Sequence, residues 1–436
     1  MKRLLSLLSL LVLASLVLAA CGGAPAATEP AAAATEPAAA ATEPPAAATE
    51  PPAAAGPYEC TDAIGCVTVA PGEPIHIAYG LVVAGPNETL GIDSRNGIEI
   101  AIADAGGQIL GHDVKFDGQD TGCSAETGQA AATKLAADPT IVAVIGTSCS
   151  SEARVGMPLM SQAGFVVISP SNTAPDLTEA GNANNYPGYL RTAHNDEIQG
   201  ARAAEYVYNE LGLKTAATIN DGSLYADKLQ QVFAENFKEL GGTVTAQLSV
   251  DPNGSDFSSI LADIASGSPE IIYMPIFQPA GPLIIQQAKK TPGIENVELM
   301  GADGLFSPDV TTSAGADVEG FMVSSPLVTG APYDEFVQKY TDKFGKAPIS
   351  IFHAHAYDAY NMIKAAIEKV AVQQSDGTVI IPRQALRDAM YATADFQGLT
   401  GSLTCTPTGD CANPTIGIYE YHEGEYPPTL IFPASQ

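Results

Sequence analysis

The chain has 436 residues, with 49 Asp and Glu against 20 Lys and Arg, a formal charge of −29, 46% hydrophobic residues and no Trp. That balance excludes nucleic-acid binding, since nothing here could neutralise a phosphate backbone, and it excludes capture of anions by long-range steering. The length allows two lobes of about 150–200 residues behind a leader and a linker.

Lys2 and Arg3 precede an apolar run from Leu4 to Leu18, too short for the roughly 20 residues that span a bilayer. Leu18-Ala19-Ala20-Cys21 then places small residues before a cysteine, the bacterial lipobox pattern. It predicts a lipoprotein signal peptide over 1–20, removed so that Cys21 becomes the acylated N-terminus. The protein is then extracytoplasmic and anchored to the cell membrane by lipid. Losing Lys2 and Arg3 moves the formal charge from −29 to −31. From Gly22 to Gly56 the chain is almost entirely Ala, Pro, Thr and Glu, with Thr-Glu-Pro recurring at 28–30, 35–37, 42–44 and 49–51. The period of seven is not a coiled coil, because no large apolar side chain occupies it and every repeat carries Pro. Such a segment is predicted to be a disordered tether with a reach on the order of 100 Å. No later stretch reaches transmembrane length.

The remaining chain alternates strand and helix. Strands are predicted at 75–79, 114–116, 141–145 and 165–168, with helices over 92–105, 125–137 and 151–163 between them. After about 195 the rhythm restarts: strands at 215–219, 244–250, 270–274 and 297–300, helices over 226–240 and from a Ser255 cap onward. Parallel sheets covered by helices on both faces follow from this alternation, and its repetition gives two similar α/β lobes. Six cysteines remain beyond Cys21. They allow 15 connectivities, of which spacing favours the local loops Cys60–Cys66 and Cys405–Cys411, leaving Cys123 with Cys149. Without Cys-x-x-Cys or paired ligand-spaced His, zinc is not expected.

In such sheets ligands bind beyond the carboxyl ends of strands, often at helix N-termini. Three segments qualify. In Ile145-Gly-Thr-Ser-Cys-Ser-Ser-Glu152, Ser150 is expected to cap a helix whose free amides suit a carboxylate. Pro170-Ser-Asn-Thr-Ala-Pro175 offers short polar side chains and spare carbonyls. In Gly301-Ala-Asp-Gly304, Asp303 could hold an ammonium or merely form a turn. Catalysis is not expected. Gly146-Thr-Ser148-Cys-Ser150 has Ser where a nucleophile elbow ends in Gly, His353-Ala-His355 lacks companion ligands, and there is no phosphate-binding Gly-x-x-x-x-Gly-Lys-Ser/Thr. No cofactor is expected.

Together these segments resemble the branched-chain amino-acid-binding proteins of ABC transporters, the leucine/isoleucine/valine receptors of the type I periplasmic-binding-protein superfamily. The resemblance runs from about Pro74 to the C-terminus. It is carried by Val142-Ala-Val-Ile-Gly-Thr-Ser-Cys-Ser-Ser151, Ile168-Ser-Pro-Ser-Asn-Thr-Ala-Pro-Asp-Leu177, Gly85-Pro86, Tyr357-Asp-Ala359 and Gly409-Asp410 with Ile416-Gly-Ile-Tyr-Glu-Tyr421. It implies an α/β fold of two doubly wound parallel-sheet lobes joined by three crossovers, near 195, 325 and 397. The first lobe would comprise 73–195 and 326–397, the second 196–325 and 398–436, behind a linker and short Cys-bridged lead-in over 21–72. The resemblance also implies a ligand set. Ser150 receives the carboxylate of an amino acid, Ser171 and Thr173 offer a carbonyl and a hydroxyl, and Asp303 meets the α-ammonium. Tyr225 and Phe277 cover the ligand, Leu90 lines the side-chain pocket, and Cys123–Cys149 is a disulfide beside the carboxylate site. The implied partners are an ABC permease and ATPase, and the receptor works as a monomer. Two positions depart from the family: Asp303 replaces a glutamate, withdrawing the carboxylate by about 1.5 Å, and Leu90 replaces a tyrosine. Aliphatic side chains, amides, urea or aromatic acids are all compatible with that pocket, as is ligand sensing in place of transport.

Overall fold

A computed structural model describes residues 58–433. The expected signal peptide, the expected lipidation at Cys21 and the expected repeat tether lie outside the described residues.

Ile141–Gly146 is buried at every position, and its side chains divide between two apolar clusters. Ala143 and Ile145 pack with Ile98 and Ala101 on one side, while Val144 packs with Ala153, Met157 and Met160 on the other. A strand covered on both faces needs an unbroken apolar run, which is why this element reads as one in the sequence. It sits inside a six-stranded sheet ordered Gln108–Ile109, His112–Asp120, Ile75–Leu81, Ile141–Gly146, Val166–Ser169, Tyr189–Arg191. All neighbours in it are parallel except the short first strand. Helices Glu88–Asp104 and His353–Val370 pack together on one face, Ala125–Ala136 and Ser150–Gln162 on the other. Gly91 permits the first of these to lie against the loop after Ile75–Leu81: a Cβ there would fall 1.9 Å from the Val82 carbonyl oxygen. Leu90 is held at that contact.

The second sheet has seven strands, ordered Thr429–Phe432, Ile416–Glu420, Met322–Pro326, Glu298–Ala302, Ile271–Tyr273, Thr215–Asn220, Thr243–Ser249. The five strands that come first in sequence pair in parallel, and the two C-terminal strands are added by antiparallel pairing. The result is the two-lobed doubly wound α/β architecture expected from the alternation. The lobes touch through Thr89 Oγ1, which donates to Ser307 Oγ at 3.3 Å, and through the Leu224 amide, which donates to Ser151 Oγ at 3.1 Å. Among the described residues no helix is long and apolar enough to cross a membrane.

Three expectations need correction. The chain does not return to the second lobe at 397. Leu403 and Cys411 pack in the first lobe's core, and the Cys411 amide donates to the Arg191 carbonyl, so the return falls between Ala412 and Ile416. The first lobe also begins before 73, inside the Cys-bridged lead-in: Cys66–Val69 pairs with Val379–Pro382, burying Val67 and Val69 in the same core. Ser255 does not cap a helix, since the helix Ser258–Ser266 begins after Phe257. The disulfides Cys60–Cys66, Cys123–Cys149 and Cys405–Cys411 are all present.

Candidate functional site

The three nominated segments meet at one place. A cavity of about 10 Å³, room for about one water, is lined from the first lobe by Leu90, Ser148, Cys149, Ser150, Ser171 and Phe352, and from the second by Tyr225, Phe277 and Asp303. Six of the seven residues named from the sequence are here. The seventh, Thr173, is buried behind them and does not line it.

On the first-lobe side, short hydroxyls stitch together the loops that follow three adjacent strands. Ser148 Oγ accepts from the Val82 amide at 3.0 Å, and Ser171 Oγ donates to the Ser148 carbonyl at 2.9 Å. Ser150 is not the helix cap. Cys149 holds that position and Ser150 is the first helical residue, its hydroxyl accepting from the amides of Thr173 and Ala174 at 3.3 and 3.2 Å. The capping acceptor is Glu152, which takes the amides of Cys123, Ser148 and Cys149. Burial pushes the Glu152 carboxyl up to about 7 against the pull of those amides. First-turn amides at 150 and 151 have no acceptor within a helix, and so face outward. The Cys123–Cys149 bridge fixes the turn that aims them. Glu152 lies beside these two cysteines, but their sulfurs are bonded to each other and offer no thiolate to a metal. The hydroxyl oxygens of Ser148 and Ser150 both accept backbone amides and so brace the loops around the cavity.

The second-lobe side is acidic. Asp303 opens a short turn after Glu298–Ala302, and its Oδ1 accepts from Gln199 Nε2 at 2.7 Å and from the Tyr225 hydroxyl at 3.3 Å. Tyr225 also accepts from the Gly304 amide at 3.2 Å, so it holds the turn as well as the carboxylate, with the Phe277 ring 4.8 Å away. Burial pushes the Asp303 carboxyl up to about 6, and the bonds from Gln199 and Tyr225 offset only part of that.

Sequence reasoning missed Asp196. It is fully buried at the start of the helix Asp196–Glu205, and neither carboxylate oxygen has a hydrogen-bond partner among the described residues. Burial and then the nearby charge of Asp303 hold its carboxyl well above the usual range, and the Thr173 side chain beside it counteracts this. Two carboxylates and an unpartnered Thr173 hydroxyl thus form one cluster suited to a cation with several N–H donors. Asp196 also follows a strand, Tyr189–Arg191, but that three-residue strand is not among those predicted from the sequence, so the rule that nominates the other loops does not reach it. Phe352 and Gln199 were also missed. Gln199 bridges His194, whose imidazole burial depresses to about 4, to Asp303, and the His194 ring stacks on Phe352. Arg191, fully buried, supports the loop from below, donating to the carbonyls of Asn172 and Ala174 at 3.2 and 2.9 Å and pairing with Asp410.

Two lobes meeting over a cavity with outward amides on one wall and the Asp303 carboxylate on the other define a solute receptor. The chain belongs to the periplasmic binding protein family, whose model matches residues 74–423. Membership sets it outside the cytoplasm. It is 26% identical over 368 residues to the Leu/Ile/Val-binding protein of Rhizobium johnstonii, covering 83% of this chain and 96% of that one. The crystal structure of a leucine-binding protein from Thermotoga maritima superposes with a TM-score of 0.72 at 25% identity, covering 80% and 96%. The solute-binding protein of an ABC transporter from R. palustris, solved with benzoate, superposes at 0.69 with 20% identity, covering 82% and 95%, and shares the fold.

Proposed function

We propose that this chain is the solute receptor of an ABC importer, binding an amino acid with a branched-chain or other apolar side chain between its lobes and delivering it to a membrane permease. The observation that carries the reading is the polarity of the cavity: amides of the Ser150 turn on one wall and the Asp303 carboxylate opposite, with the unpartnered carboxylate of Asp196 buried near Asp303 behind the lining. A zwitterion matches both. Its carboxylate meets the helix N-terminus, with Ser150 and Ser171 beside it. Its ammonium meets Asp303, Asp196 and the Thr173 hydroxyl. Asp196 answers the shortened side chain at 303, because the counter-charge is shared between two carboxylates. Leu90, Phe277, Phe352 and the Tyr225 ring surround the apolar side chain. An aromatic acid would leave both carboxylates without a cation, which disfavours that alternative.

The lobes part to admit ligand, and closure removes water, strengthening each polar contact. Binding is the whole activity, with no chemistry performed on the ligand, and one chain supplies both walls, so a monomer suffices. Cys21 carries the lipid and the repeat segment is the tether. Energy for transport comes from the ATPase of the partner complex. Calorimetric titration of residues 58–436 with leucine, isoleucine, valine, phenylalanine, leucinamide, urea and benzoate tests the assignment. Saturable binding of an α-amino acid is expected, and tight binding of benzoate alone would overturn it. In the full chain, Cys21→Ala is expected to abolish acylation, with mass spectrometry of the parent and variant proteins as the check.

A further inference from the structure

Beyond Phe352 lies a second cavity, of about 430 Å³, lined by Ile351 and His353 where Phe352 lines the cleft. Its volume lies in the range of about 300–1,000 Å³ typical of small-molecule sites. Phe306, Tyr419 and Tyr426 of the second lobe form one wall, with Tyr333 and Val337 of the helix Ala331–Phe344 opposite. Phe306 stands near-perpendicular to Tyr419 at 5.2 Å and to Tyr426 at 6.1 Å, making an aromatic corner.

The charges around this cavity select among ligands. No Lys or Arg lines it, and Asp334 is its one carboxylate, exposed at the rim. His353 is already engaged on both nitrogens, by Asp93 Oδ2 at 2.7 Å and the Tyr333 hydroxyl at 2.9 Å. Among the described residues, two hydroxyls on lining residues, Ser350 Oγ and Tyr426 OH, are buried without a hydrogen-bond partner. A hydroxyl in that state can accept from an N–H group. We propose that this cavity is a second ligand site, for a small primary ammonium carrying an aryl or alkyl body. The body rests against the aromatic corner, the ammonium meets the Asp334 carboxylate at the rim, and the Ser350 and Tyr426 hydroxyls, which lie beneath the lining surface, accept from it by rotating toward the cavity. An anion of the same shape meets only the Asp334 carboxylate and a chain of net charge −29. The site uses none of the cleft residues and stands independently of the ligand assigned there.

Titration calorimetry of residues 58–436 with phenethylamine and its anionic counterpart 3-phenylpropionate tests this. Saturable binding of the amine and none of the acid is expected. Val337→Trp, which fills the cavity, should abolish amine binding, and Asp334→Asn, an exposed change that leaves the fold alone, should weaken it by about three- to fivefold. Neither substitution should alter leucine binding, because neither residue lines the cleft. Absence of saturable amine binding, equal binding of the acid, or amine binding unaltered by Asp334→Asn would overturn the proposal. Loss of amine binding on Asp303→Asn with both cavity variants unaffected would move the amine into the cleft and overturn it equally.

Discussion

Replacing Asp303 by Asn separates the two demands made on this residue. Its Oδ1 accepts from Gln199 and Tyr225, and Asn keeps that acceptor, so the turn should persist. The other oxygen becomes an NH₂ that points donors at an ammonium. With Asp303 alone as counter-charge, breaking a buried pair would cost about 3–5 kcal/mol. Asp196 remains, so the loss should be nearer that of one charge-assisted hydrogen bond, about 1.5–3 kcal/mol. The dissociation constant for leucine should then rise about 10- to 150-fold. Stability should move the other way. The folded carboxyl sits at about 6 where an ordinary Asp sits at 3.8, so ionised Asp303 opposes folding, increasingly as pH rises from about 4 through 6. At pH 7 that penalty is on the order of 3 kcal/mol, and Asn removes it. Calorimetry with leucine, paired with thermal melting in the absence of added ligand, reads both effects. A dissociation constant within threefold of the parent refutes the ammonium contact, and a lower melting temperature refutes the buried-charge argument.

The same cluster gives a pH dependence. An ammonium binds the ionised Asp303 carboxylate, so affinity for leucine should fall as pH drops below about 6, by up to about tenfold per unit; equal affinity at pH 7 and pH 5 would count against it. Replacing Cys123 and Cys149 together by Ser should destabilise the fold by roughly 3 kcal/mol, the entropy of a loop this long, and weaken leucine binding by loosening the Ser150 turn. Denaturant melts and titration of the double variant measure the two. Arg191→Met strands the partly buried Asp410 and two loop carbonyls and should cost about 3–5 kcal/mol; an unchanged unfolding midpoint would show the pair to be dispensable.

What could be read from the sequence was what is local. Ile141–Ile145 and Phe165–Ile168 are apolar without interruption because helices cover both sheet faces, and that signal needs no partner to be seen. The loops after those strands follow from the same logic, which is why Ser150, Ser171 and Asp303 could be named in advance. Asp196 could not be told from the acidic residues common in any first helical turn; only its burial and its nearness to Asp303 distinguish it. Ser150 looked like a cap because Ser caps helices, but Glu152 had already taken the neighbouring amides, a pairing that depends on burial. The late return to the second lobe was hidden for a similar reason. Residues 398–411 are rich in Gly and Thr and carry little apolar pattern, and their place is set by the strand edge at 189–191, far back in the chain.

That last contact constrains the order in which the molecule can be finished. Arg191 and Asp410 are 219 positions apart, and between them the chain leaves the first lobe, builds most of the second and comes back. Until Asp410 emerges from the ribosome, the first lobe's outermost strand has no edge partner and its guanidinium no counter-ion. A chain still being synthesised or exported therefore keeps an unfinished seam in its earliest-made half. Contacts so distant in sequence form late and slowly. Premature termination anywhere before Asp410 should leave a first lobe that cannot seal, so the last few dozen residues act as the closing stitch for structure begun near the start.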